Sequence, residues 1–254
     1  MPLIVLIFLG FVTLCFFFMH HTYNNVHYNI NQPVAHNKTL IILWDIHGVL
    51  FEKNRFRWLY IIVTYPHLFS VLKKLDKKII IILLKYCGKK VKILKEEITN
   101  QELINYAQKI NNHALIDLTI QVSCAYQPKN DVIALVAKLH EQGYAQHIGS
   151  NIGKSIFELF APQHPTIFTY FSYLHIINTQ HATTVIKKPN KEFFLSYLDI
   201  HKKLPQEILF IDDRWANVKA ARACGLQAIY FENSLQLQKE FEYLGLFKKK
   251  NELI

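Results

Sequence analysis

Short unbroken apolar runs alternate along most of the chain with segments whose apolar residues recur every three or four positions. Leu40 to Trp44 is one such run and ends in Asp45, Ala145 to Gly149 ends in Ser150, and Ile208 to Ile211 ends in Asp212 and Asp213. Runs of this length without polar alternation are the pattern of strands buried on both faces. Between them, Asn130 caps a segment that carries Val132, Leu135, Val136 and Leu139 on one side and is stopped by Gly143. Further helices are predicted over 191–201 and 214–224, the second stopped by Gly225 ahead of a last strand from Gln227 to Phe231. Alternating strands and helices predict an α/β fold on a mostly parallel sheet, in which ligands bind at the carboxyl ends of the strands.

Two stretches depart from this alternation. From 52 to 126 the period is helical throughout, and 13 Lys and Arg face 6 Asp and Glu, so most of the excess positive charge sits here. Its greasy stretches, Trp58 to Leu72 and Ile79 to Leu84, are too short to span a bilayer. They read either as the core of a helical subdomain or as a basic, apolar face that rests on anionic lipid. At the other departure, Leu3 to Met19, every residue is apolar, Gly or Thr. At 1.5 Å per residue that run is about 26 Å long, near the lower limit for a membrane-spanning helix. A single-pass anchor is expected, with a cleaved signal peptide as the competing reading. Against the latter, no Lys or Arg precedes the run and His20, His21 and Tyr23 follow it. Residues 20–38 are polar and Asn-rich and read as a linker, their four histidines lacking a spacing that fixes metal geometry.

With 254 residues and 51% hydrophobic side chains, the chain is too apolar for disorder and long enough for one full α/β domain with an insertion. A formal charge of +10 favours acidic partners, whether phosphorylated metabolites, nucleic acid or anionic lipid. Cys15, Cys87, Cys124 and Cys224 have neither C-x-x-C spacing nor the density of a disulfide scaffold. The basic balance leans the soluble part toward the cytoplasmic side of a membrane.

Four polar clusters fall at the same edge of the expected sheet. They are Asp45-Ile46-His47-Gly48-Val49, Ser150-Asn151, Lys188-Pro189, and Asp212-Asp213 with Asn217. Together, over about 40–232, they resemble the haloacid dehalogenase superfamily, whose pattern is D-x-D-G-[TV], then Ser or Thr, then Lys, then paired acids. The resemblance implies a Rossmann-like three-layer core at 39–51 and 127–254 and a helical type-1 cap at 52–126. It also implies hydrolysis of a small phosphorylated substrate, with no nucleic acid as partner.

The chemistry of these residues can be stated on its own. A carboxylate at a strand end, Asp45, is a competent nucleophile toward phosphorus and gives an acyl-phosphate that water can cleave. Two anions approach one another only when a cation neutralises them, and Mg²⁺ suits the oxygen donors of Asp45, Asp212 and Asp213. The resemblance adds the backbone carbonyl of His47 to the metal's ligands. Ser150 with Asn151, and Lys188, are expected to hold the phosphoryl oxygens, while Asn217 orients the cluster. His47 stands where phosphatases of the superfamily carry a second Asp. Histidine can serve as acid and base, since its ordinary pKa of about 6.5 lies near working pH. The rival reading is slowed or lost catalysis, leaving a module that binds a phosphorylated ligand.

Overall fold

The structure, a computed structural model, describes residues 39–67, 99–177 and 185–247. All of these except Pro66 and His67 belong to one compact unit formed by 32–65 and 99–254. The anchor expected at 3–19, the linker at 20–38 and the lysine-rich stretch 68–98 lie outside the described residues. Among those described, no helix is long and apolar enough to cross a membrane.

Five parallel strands form the central sheet: β1 (Ile41–Trp44), β4 (Ala145–Gly153), β5 (Tyr173–Ile177), β6 (Ile208–Asp212) and β7 (Gln227–Tyr230), in the order β5-β4-β1-β6-β7. β1 is the middle strand, with Ile41 beside Ala145 on one flank and Ile208 on the other. All four of its residues are buried, as are all five of β6, which explains their unbroken apolar sequence. A small antiparallel pair, β2 (Phe51–Lys53) with β3 (Tyr126–Pro128), stands where the chain leaves the sheet region and where it returns.

The sheet is covered on both faces. Ile41, Leu43, Ile208 and Phe210 point to one side and pack against α7 (Lys191–His201) and α8 (Trp215–Ala223) through Phe193, Phe194, Tyr197, Val218 and Ala221. Trp44 points to the other side, edge-on to Phe241 of α9 (Ser234–Tyr243). Its indole N–H donates to Gln146 Oε1 (3.1 Å), whose amide donates to the Val136 carbonyl of α4 (Asn130–Glu141). Helices on both faces of a parallel sheet make the expected three-layer Rossmann-like core.

α4 buries Val132, Leu135, Val136 and Leu139 as the spacing predicts, and the chain turns at Gly143 with φ +83°. Its start differs: Lys129 holds the capping position and Asn130 is already helical, making no side-chain cap. Asp131, one residue on, instead accepts from the Val132 N–H. In the described part of 52–126 the chain is helical: α1 (Arg55–Thr64), α2 (Asn100–Lys109) and α3 (His113–Ser123). α2 opens with a reciprocal cap, Thr99 N donating to Glu102 Oε2 (2.7 Å) and Glu102 N to Thr99 Oγ (3.2 Å). Two short helices, α5 (Lys154–Phe160) and α6 (Pro165–Phe168), lead from β4 to β5.

Candidate active site

The carboxyl edge of the sheet gathers most of the expected residues. Asp45 follows β1 directly, its N–H donating to the Ile211 carbonyl of β6 (3.0 Å), so its place is set by the centre of the sheet. Asp212 ends β6 and is fully buried. Its two carboxylate oxygens accept from Asn217 Nδ2 at 3.0 and 2.9 Å, and Oδ1 also accepts from the Arg214 N–H (2.8 Å). Asn217 therefore orients Asp212 from the first turns of α8. Lys188 lies between the acids, its ammonium 2.7 Å from Asp212 Oδ2 and 3.0 Å from Asp45 Oδ1, and donates to the Gly149 carbonyl (2.7 Å). Ser150 is buried in β4, one residue beyond that carbonyl.

Asn151 has a role the sequence reading missed. Its amide donates to the Lys188 carbonyl and its oxygen accepts from the Lys188 N–H, both at 2.8 Å, so it clamps the lysine's main chain. The neighbouring Lys187 is directed elsewhere, its ammonium 2.7 Å from Glu102 of α2.

The segment after Asp45 turns tightly, with the Leu50 and Phe51 N–H groups both donating to the Ile46 carbonyl. Gly48 sits at φ +92°, and a β-carbon there would lie 2.2 Å from Asp213 Oδ2. Only glycine satisfies both the left-handed backbone and the close carboxylate. Lys129, which precedes α4, fixes this turn, its ammonium donating to the Gly48 carbonyl (2.6 Å). In sequence, Lys129 is one lysine among many at a helix start, and nothing in its spacing marks it.

Asp45, Asp212 and Asp213 can each direct one oxygen so that all three lie within 4.8 Å of one another. Asp45 and Asp212 pair with the buried Lys188 ammonium, while Asp213 makes no ion pair with it and feels the charges of Lys188 and Lys129. Burial, then the charges of Asp45 and Asp212, push Asp213 up to about 7, and burial against the opposing pull of Lys188 raises Asp212 to about 6. Lys188 stays cationic: burial disfavours its charge, but Asp212 and Asp45 overcome that and raise its pKa. Asp213 Oδ1 is buried with no hydrogen-bond partner among the described residues. Three clustered carboxylates, an all-oxygen donor set and an orphaned carboxylate oxygen fit a hard divalent cation of the Mg²⁺ type.

His47 has surroundings unlike those of a free imidazole. Its ring lies 4.2 Å from that of Tyr126 and 6.0 Å from that of Phe160, and its Nε2 is buried without a partner among the described residues. Burial pulls its pKa down to about 4, with Asp45 opposing and Lys188 reinforcing the shift. The value near 6.5 expected of an ordinary histidine does not apply, and the ring is neutral at pH 7.

A parallel sheet wrapped by helices, with acids and a buried lysine at the carboxyl ends of its central strands, defines an α/β protein of the Rossmann-like type. The haloacid dehalogenase-like hydrolase family model matches residues 39–225, and the chain belongs to that family. Solved structures share the fold at low identity. A haloacid dehalogenase-type phosphatase of Thermococcus onnurineus has a TM-score of 0.56 at 16% identity, covering 80% of this chain and 98% of its own. A haloacid dehalogenase-like hydrolase of Streptococcus pneumoniae has a TM-score of 0.52 at 14% identity, covering 81% and 100%. Among curated proteins, flavin mononucleotide hydrolase 1, a chloroplast protein of Arabidopsis thaliana, is 38% identical over 60 residues. That stretch spans 24% of this chain and 24% of the relative.

Proposed function

We propose that this hydrolase cleaves phosphate monoesters through an aspartyl-phosphate on Asp45, with Mg²⁺ held by Asp45, Asp212 and Asp213. The observation that carries the reading is Lys188, which places one buried ammonium within 3.0 Å of both Asp45 and Asp212. An Asp45 oxygen attacks phosphorus, the bond from phosphorus to the leaving oxygen breaks, and water then cleaves the acyl-phosphate. A bound Mg²⁺ supplies the charge neutralisation that lets two anions meet. Lys188 adds fixed positive charge, Asn151 holds the Lys188 backbone, Asn217 holds Asp212, and Ser150 donates its hydroxyl to a phosphoryl oxygen. Neutral His47 accepts the proton of the attacking water. It has no proton to give at pH 7, so aryl phosphates and other esters with good leaving groups are the favoured substrates.

The test is a phosphatase screen of the purified chain with Mg²⁺, using an aryl phosphate and flavin mononucleotide, the latter suggested by the relative's name. Turnover that vanishes in Asp45→Asn is expected, because an amide cannot form the acyl-phosphate. Equal rates in parent and variant would remove Asp45 from the chemistry.

A second reading, a module that binds a phosphorylated ligand without turning it over, is favoured by the unpartnered, neutral His47. The two part on His47 variants. In an enzyme, His47→Ala lowers turnover by roughly 10²–10⁴-fold. In a binding module the parent is inert and His47→Asp, which restores a pair of carboxylates, creates turnover.

The proposal extends to location. The apolar run at 3–19 anchors the chain as a single-pass membrane protein, and its basic balance favours the cytoplasmic side.

A further inference from the structure

We propose that α1 is a contact surface for an anionic lipid bilayer. The helix reads Arg-Phe-Arg-Trp-Leu-Tyr-Ile-Ile-Val-Thr, and none of its ten residues is fully buried. Phe56, Tyr60 and Val63 are 79%, 68% and 58% exposed. At positions i, i+4 and i+7 they form one line along the helix. Arg55 and Arg57, both exposed, flank Phe56 in sequence and therefore fall about 100° to either side of that line. An apolar strip bordered by guanidinium groups suits a helix lying in the plane of a membrane, rings in the acyl boundary and cations at the headgroups.

The opposite side of α1 is already committed. Tyr65, at its carboxyl end, donates to the Ala114 carbonyl (2.7 Å) and to Asp117 Oδ2 (2.9 Å), docking the helix on α3. Among the described residues, the exposed strip is the side that this docking leaves over. Charge selects the partner: no Asp or Glu occurs from Lys53 to His67, while Lys53, Arg55 and Arg57 do. Such a surface attracts the anionic headgroups of phosphatidylserine-type lipids. This goes beyond the hydrolase reading and requires neither turnover nor the anchor at 3–19.

The experiment is hydrogen–deuterium exchange on the full chain in three settings: detergent, phosphatidylcholine vesicles, and vesicles with about 30% phosphatidylserine. Amides of 55–64 are expected to exchange about tenfold more slowly on the anionic vesicles than in the other two settings. The protection should disappear at about 0.5 M salt. It should also disappear in the triple variant Phe56→Ser, Tyr60→Ser, Val63→Ser, whose changes lie on the exposed side and leave the docking tyrosine intact. Equal exchange in all three settings overturns the proposal. Protection already present in detergent does so too, by showing another stretch of this chain on the strip, and protection that grows with protein concentration would identify a second copy. Failure of the anchor reads out separately, as a chain that does not float with neutral vesicles.

Discussion

At Lys188 a buried cation pairs with two buried anions, Asp45 and Asp212, and removing the cation leaves both of them uncompensated. Lys188→Met should therefore destabilise the fold by about 3–5 kcal/mol, the usual cost of stranding buried charge, as read from urea unfolding. The acids behave in the opposite sense toward a metal. Mg²⁺ should raise the melting temperature of the parent by mass action, and the double variant Asp212→Asn, Asp213→Asn should lose that rise. A shift that survives the double variant would place the cation elsewhere. Gly48 sets a third expectation. Gly48→Ala must hold a side chain at φ +92° and displace Asp213, so it should lose about 1–3 kcal/mol of stability together with most of the Mg²⁺-dependent melting shift.

Away from the site, β4, β5 and α7 enclose a group of aromatic and imidazole rings. His147 Nδ1 lies 2.7 Å from the Tyr197 hydroxyl, and the His201 ring sits 4.7 Å from that of His147 and 4.3 Å from that of Tyr173. Burial lowers His147 to about 4 and also lowers His175 and His201. Between about 6.5, the unfolded value, and 4, the unfolded chain binds more protons than the folded one. The contribution of His147 is thus complete above pH 6.5 and declines by up to about 1.4 kcal/mol per unit as pH falls toward 4. Urea titrations across that range should show the decline, and His147→Gln should flatten it. The visibility of elements in the sequence followed burial. β1 and β6 lie in the middle of the sheet, so their apolar runs stand out together with the acids that end them, Asp45 and Asp212, whereas Lys188 is marked only by Pro189 and the family pattern. β5 is an edge strand with Leu174 exposed and only Ile177 buried, so its pattern was invisible. The Thr99–Glu102 cap of α2 was written in the sequence and overlooked, whereas the grip of Lys129 on Gly48 and of Asn151 on Lys188 arises only from tertiary placement.

For the molecule as a whole, the site and the basic helix α1 are separable by experiment, since one is read by turnover and the other by exchange on lipid. They share one chain with a formal charge of +10, so weak binding to many polyanions is expected, and salt should weaken it while leaving the buried site largely unscreened. The strand order has a consequence for how the protein comes into being. β1 is the first strand of the sheet to leave the ribosome, yet its neighbours begin at Ala145 and Ile208. Its four apolar residues must wait, unpaired, while most of the chain is translated. Such long-range closure makes folding slow and leaves a sticky segment open to off-pathway association. Nascent chains stalled before Ile208 should accordingly be protease-sensitive through β1 and gain resistance only once β6 has emerged, so that Asp45 acquires its surroundings among the last events of synthesis.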